Sequence, residues 1–210
     1  MDAEFDCPPT PGVEDFYPAP YFGWYSQYDP PAVLKSHDYL REIIASDGPY
    51  DGVIAFSEGA ATAASMMLCD QAVPKGEEPL FKLGIFFNSV MLFSPSETLG
   101  EDITESILDT GANYTGYMHN LPTAKPKGRR DSIYAFSAKS PGPQITVPTL
   151  HVIGSQDIFA DCSHELAKLC EASKAEILIH DGGHALPRAD AVLDRCGEMF
   201  ETVCSLASVG

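Results

Sequence analysis

The sequence predicts an α/β fold. Apolar runs at 51–56, 83–93, 149–153 and 177–179 have the length and composition of buried strands, segments of helical periodicity lie between and after them, and Gly- and Pro-containing turns separate the two kinds. Strands alternating with helices build βαβ units, so the expected architecture is a mostly parallel sheet with helices on both faces.

Each element has its own local reason. Residues 7–31 combine seven prolines with Phe16, Tyr17, Tyr21, Phe22, Trp24, Tyr25 and Tyr28. The prolines exclude a long helix and the aromatics argue against disorder, so this stretch is expected as an extended loop laid on the body. A first helix is expected from Pro31 to Ser46, with Tyr39, Leu40, Ile43 and Ile44 on one face and Asp47-Gly48-Pro49 ending it. Asp51 to Phe56 reads as a short buried strand. It runs into a helix from about Gly59 to Cys69 whose Gly59, Ala60, Ala61, Ala63 and Ala64 allow close packing on a sheet. A second strand is expected over Leu83 to Phe93, and a third over Thr149 to Ile153, broken at Gly154. Ser163 is a candidate cap for the helix after it, with Leu166, Leu169 and Cys170 inward. The fourth strand, Ile177 to Ile179, leads to Asp181-Gly182-Gly183-His184, and a last helix from Asp190 to Leu206 is expected to bury Val192, Cys196, Met199, Phe200 and Val203.

With 210 residues, 44% hydrophobic and 20% charged, the chain suits one domain, 1–210, with a substantial core. Ser94 to Val147 is too long for an ordinary connection and is expected as a lid or pocket wall. It carries an acidic helical piece at Glu101 to Leu108 and a basic cluster at Lys125, Lys127, Arg129 and Arg130. Asp and Glu number 30 against 13 Lys and Arg, a formal net charge of −17. Such a surface repels phosphate backbones and anionic lipid, so neither nucleic acid nor a membrane is an expected partner. No run approaches the roughly 20 apolar residues of a membrane span, and the acidic N-terminus lacks a secretory pattern, which gives cytoplasmic as the expected location. Cys7, Cys69, Cys162, Cys170, Cys196 and Cys204 show neither C-x-x-C nor zinc spacing and are expected as free thiols. No cofactor or metal is expected.

Phe56-Ser57-Glu58-Gly59 lies between a buried strand and a small-residue helix, with Ala55 and Gly59 two residues either side of Ser57. That is the context of a nucleophile elbow, which holds a serine exposed at a helix N-terminus where N–H groups favour developing negative charge. A serine needs a histidine base, and the base an orienting carboxylate. Asp157 follows the third strand and His184 the fourth, giving the order Ser, Asp, His of α/β hydrolases. Asp161 is the alternative carboxylate. His151, inside its strand, reads as a packed core residue, and His37, His119, His164 and His180 lack a matching serine and carboxylate context.

These segments resemble a known family. Gly48 to Ala60, Pro148 to Gly154 with Asp157, Gly182-Gly183-His184-Ala185-Leu186-Pro187, and Tyr21-Phe22-Gly23-Trp24 look like the fungal FSH-type serine hydrolases, a likeness covering nearly the whole chain. The resemblance implies an α/β-hydrolase fold, Ser57 as nucleophile, Asp157 and His184 as its partners, and an ester or acyl thioester substrate. The family contains carboxylesterases and thioesterases that release polyketides from synthases. The chain departs from the family pattern in having Ala55 where the elbow usually has Gly. It also has no counterpart, upstream of Asp2, of the strand, His-Gly loop and helix that normally open the fold, while Glu4 to Pro8 resembles the tail of the second strand. That strand would sit beside the one leading to Ser57 and its loop would give a second oxyanion donor, leaving the backbone N–H of Glu58 as the identified one. Truncation, completion by a partner or strand swap, and a hydrolase-like protein with altered use all remain open readings.

The expected function is therefore a serine esterase or thioesterase. An acyl carrier domain is a candidate partner through the basic cluster, against the simpler reading of a solvated loop, and homo-oligomerisation is left open. Two other classes remain: a binding protein that keeps the pocket without turnover, and a dehydratase or cyclase reusing His184. Trp24, Tyr25 and Phe159 are better explained by aromatic packing than as pocket residues.

Overall fold

The apolar runs do become strands, and all four point the same way. The computed structural model describes residues 3–9, 15, 18–73, 79–110 and 132–209. In chain order the elements are β1 (Phe5–Asp6), β2 (Phe22–Gly23), α1 (Pro30–Asp47), β3 (Gly52–Phe56), α2 (Glu58–Ala72) and β4 (Leu83–Phe87). They continue as β5 (Glu101–Asp102), α3 (Thr104–Thr110), β6 (Tyr134–Ala135), β7 (Thr149–Gly154), α4 (Ala160–Lys168), β8 (Ala175–His180) and α5 (Asp190–Val209). Two compact units emerge, residues 1–43 with 93–136 and residues 44–92 with 137–210. The basic cluster at Lys125, Lys127, Arg129 and Arg130, and His119, lie outside the described residues.

The second unit holds the sheet, in the order β3-β4-β7-β8 with every pair parallel. All six residues of β7 are buried, as expected of a strand covered on both faces. Because side chains alternate across a strand, Leu150 and Val152 face one side and Thr149, His151 and Ile153 the other. Leu150, Val152 and Ile85 pack with Met199 and Val203 of α5, which closes that face. On the opposite side Phe86 stacks near His151, with ring centroids 5.5 Å apart. In α2, Ala60, Ala61 and Ala64 are fully buried; without side-chain bulk there, the helix can approach the sheet closely. β3 ends the strand order, and Ile54 on it is 65% exposed, lining an open apolar groove of about 400 Å³ with Phe56, Phe87, Leu186 and Leu193.

The first unit is built from short pieces. β1 pairs antiparallel with β2, and β5 with β6. Tyr25, Tyr28 and Phe93 form an aromatic cluster with centroids 4.6 to 5.8 Å apart. Asp29 Oδ1 accepts the Ala32 N–H at 3.2 Å, capping α1, and Pro30 and Pro31 fill its first turn, where no N–H is needed. Among the described residues, no helix is long and apolar enough to cross a membrane.

Several local expectations are corrected. The second strand stops at Phe87 rather than Phe93, because the chain turns at Asn88 with φ 45°. The buried face of α1 is Ala32, Val33, Ser36, His37 and Leu40, not the stripe through Tyr39, Ile43 and Ile44. Ser163 does not cap α4: Phe159 occupies that position, and the Ser163 hydroxyl, inside the helix, donates to Ser89 O at 3.0 Å. On α5, Met199 and Val203 are buried but Phe200 is 38% exposed. Glu101 and Asp102 form a strand before the acidic helix begins at Thr104. All six cysteines are free thiols.

Two buried histidines couple the fold to pH. Burial, reinforced by Arg41, lowers His37 from 6.5 to about 3, and burial, reinforced by His164, lowers His151 from 6.5 to about 3. Below 6.5 the unfolded chain takes up protons that these folded imidazoles refuse, so their stabilising effect is complete above 6.5 and is lost as pH falls toward about 3. The variant His151→Gln is expected to lose less stability than the parent across that window, measured as the urea midpoint against pH; parallel curves would contradict this.

Candidate functional site

A parallel sheet delivers the C-terminal ends of its strands to one edge, and the loops leaving that edge are where chemistry can be assembled. β3 ends at Phe56, and the turn to α2 is made by Ser57 in a strained conformation, φ 56° and ψ −125°. Such backbone is costly for a residue with a side chain and is held here from two sides. The Ser57 N–H donates to Phe87 O at 2.9 Å, and Ser57 O accepts the Ala61 N–H at 3.1 Å in the first turn of α2. Glu58 opens the helix, so its N–H lies at the positive end of the α2 dipole.

The third and fourth strands bring in the other two residues. His184 Nε2 lies 2.8 Å from Ser57 Oγ, and His184 Nδ1 lies 2.8 Å from Asp157 Oδ2. An ionised carboxylate only accepts, so Nδ1 carries the proton and Nε2 presents its lone pair to the Ser57 hydroxyl. The Asp157 side chain is fully buried, and its second oxygen accepts the Phe159 N–H at 2.8 Å. Both carboxylate oxygens are thereby satisfied, which a buried charge requires. The three candidate residues are thus in one hydrogen-bonded line, while Asp161 is exposed in the first turn of α4.

The loops carrying Asp157 and His184 are laced together by backbone. Ser155 N–H donates to His180 O at 2.8 Å, Gln156 N–H to Gly182 O at 3.0 Å, and the Gln156 side-chain amide to Asp181 O at 2.8 Å. The imidazole itself sits between two aromatic rings, with centroids 5.1 Å from Phe56 and 5.2 Å from Phe159. No sequence pattern assigns Phe56 to this contact; its place immediately before Ser57 is the one signal for it. Phe159, read from the sequence as ordinary packing, packs against the candidate base.

His37, His151 and His180 are not part of this line. His151 is buried and its Nε2 is 3.1 Å from Thr149 Oγ1. Neither ring nitrogen of buried His37 has a hydrogen-bond partner among the described residues. Buried His180 accepts the Gly182 N–H on Nδ1. Cys162 is no rival nucleophile: burial, with the charges of Asp161, Asp157 and Glu165, pushes its thiol up to about 11, so it is not a thiolate near neutral pH. What the arrangement can do chemically is pass a hydroxyl proton from Ser57 to His184 while Asp157 balances the imidazolium that forms.

Comparison with known proteins finds related hydrolases. The family described as serine hydrolase (FSH1) matches residues 4–196. Esterase alnB of Emericella nidulans is 26% identical over 226 residues, covering 90% of this chain and 79% of the relative. Esterase FPY3 of Fusarium mangiferae is 27% identical over 212 residues, covering 100% of this chain and 83% of the relative. Among solved structures, that of fungal esterases from Rhizomucor miehei superposes with a TM-score of 0.50 at 14% identity, over 84% of this chain and 59% of that one. The fold is that of the α/β hydrolases.

Gly154 offers a test of how tightly the two loops fit. A Cβ there would press on Gly183 O and lie 2.6 Å from Gly182 O, both on the loop that carries His184. Gly154→Ala is expected to displace that loop and slow modification of Ser57 by a fluorophosphonate by about 10-fold or more, since small misplacements are expensive in rate. Labelling at the parental rate would show that the loop yields freely.

Proposed function

The chain belongs to the FSH1 family of serine hydrolases, and on that premise we propose that it cleaves a carboxylic ester or acyl thioester through an acyl-enzyme on Ser57. The observation that carries the reading is the continuous hydrogen-bonded path from Ser57 Oγ through the imidazole of His184 to the buried carboxylate of Asp157. In this reading Ser57 Oγ attacks the substrate carbonyl carbon as its proton passes to His184 Nε2. The carbonyl oxygen becomes an oxyanion facing the start of α2, with the Glu58 N–H as its assigned donor. Asp157, held by Phe159 N–H on its other oxygen, balances the charge that His184 acquires. The tetrahedral intermediate collapses with cleavage of the C–O or C–S bond, and the alkoxide or thiolate leaves with the proton from Nε2. Water then attacks the acyl-serine, giving a proton to His184; collapse returns that proton to Ser57 and releases the acid.

The relatives named as esterases support an ester substrate. A thioester is the finer form of the proposal, supported by the resemblance to enzymes that release polyketides from synthases; the chemistry at Ser57 is the same for both. An acyl chain presented on a carrier domain is then the natural substrate form.

Labelling with a fluorophosphonate, read by mass spectrometry, is expected at Ser57 and to be lost in His184→Ala. Hydrolysis of a p-nitrophenyl ester should fall by about 10⁴- to 10⁶-fold in Ser57→Ala. A folded parent that does not label, yet binds an ester saturably and equally well as Ser57→Ala, would replace the hydrolase with a binding protein.

A further inference from the structure

The end of β4 carries a residue that no part of the triad pattern assigns. Asn88 is buried, and its φ of 45° lies in the left-handed region that Asn and Gly tolerate best. Its backbone N–H donates to Val152 O at 3.0 Å, tying the turn to β7. Its side-chain Nδ2 donates to Ala185 O at 2.8 Å and lies 3.5 Å from Gly183 O, the two carbonyls that bracket His184. Its Oδ1 accepts the Gly154 N–H at 2.8 Å, and Gly154 O in turn accepts the Asp157 N–H at 3.1 Å. One amide therefore joins the end of β4, the turn that carries Asp157 and the loop that carries His184.

We propose that Asn88 is a positioning residue that holds His184 in register with Ser57 and Asp157, an inference that rests on the hydrolase reading above. The chemistry of the position is narrow. It needs an acceptor toward the buried Gly154 N–H, a donor toward the part-buried carbonyls that flank His184, and a backbone able to turn left-handed. A carboxylate could still accept from Gly154 but would face the His184-flanking carbonyls with no proton to give. An aliphatic side chain would leave the buried Gly154 N–H unpartnered and release the exposed Ala185 O to water, untying the loop that carries His184. Asn88 acts through His184 and not on substrate, so its loss should lower kcat with little change in KM.

Two variants test this. Asn88→Gly keeps the backbone conformation and removes the whole clamp; Asn88→Asp keeps the acceptor and removes the donor. Two readouts are taken: hydrogen exchange of the backbone amides at 181–187, and kcat and KM for a p-nitrophenyl ester, with kcat expressed per fluorophosphonate-reactive Ser57. Both variants are expected to exchange faster in that loop and to lose about 10- to 100-fold in kcat per site, with KM within about 2-fold of the parent. Unchanged exchange would overturn the clamp. Faster exchange, or a lower melting temperature, with unchanged kcat per reactive serine would overturn the positioning role and leave Asn88 purely structural. A parent that neither labels at Ser57 nor turns over the ester would overturn the hydrolase reading itself, while the exchange result would still show whether the amide tethers the loop.

Discussion

Everything at the candidate site depends on the parallel register of four strands. Phe56 pairs with Phe87, Phe87 with Val152, and Gly154 with His180, so the turns carrying Ser57, Asn88, Asp157 and His184 leave the sheet at one edge. Parallel strands need long crossovers, and the cost shows in sequence separation: Ser57 and His184 are 127 residues apart, His184 and Asp157 27. Slipping one strand by a single residue would turn Leu150 and Val152 away from Met199 and Val203, so the packing on α5 that stabilises the fold also fixes where the chemistry is delivered.

The proposed nucleophile and base are held in different ways. Ser57 is placed by its own short segment: a strained turn, small neighbours at Ala55 and Gly59, and a backbone bond to Phe87. His184 has no such local frame. It sits on a loop of Gly182, Gly183 and Ala185, and its position is fixed from outside by the Ser155 and Gln156 backbone, two aromatic rings and the Asn88 amide.

That difference also explains what the sequence makes legible. Ser57 is readable because strand, tight turn and small-residue helix are contiguous, and Asp157 and His184 because each follows an apolar run and a glycine-containing turn. The end of β4 is hard to read from pattern: the polar pair Asn88-Ser89 interrupts the run, but Val90, Met91, Leu92 and Phe93 resume it, and the turn itself shows only in the φ at Asn88. Nor is the Asn88 amide, whose partners are 66 and 97 residues away. The Ser163 hydroxyl looked available as a cap, yet it serves Ser89 O, 74 residues distant. Local chemistry is written in neighbouring residues; a tertiary hydrogen bond leaves no periodicity behind.

The buried carboxylate of Asp157 links chemistry to stability. An ionised group with no exposed side-chain surface is tolerable only if its oxygens are bonded, and here one is served by the Phe159 N–H and the other by His184. Taking away the imidazole would leave half of that carboxylate unsatisfied in a place water does not reach. The histidine is thus held by the fold and in turn completes a polar cluster the fold has already buried. In such an arrangement the protonation state that serves proton transfer, Nδ1–H toward Asp157 and a free lone pair toward Ser57, is also the one that best satisfies the buried groups. Orientation of the proposed base is therefore set by the same hydrogen bonds that make the strand ends stable, before any substrate arrives.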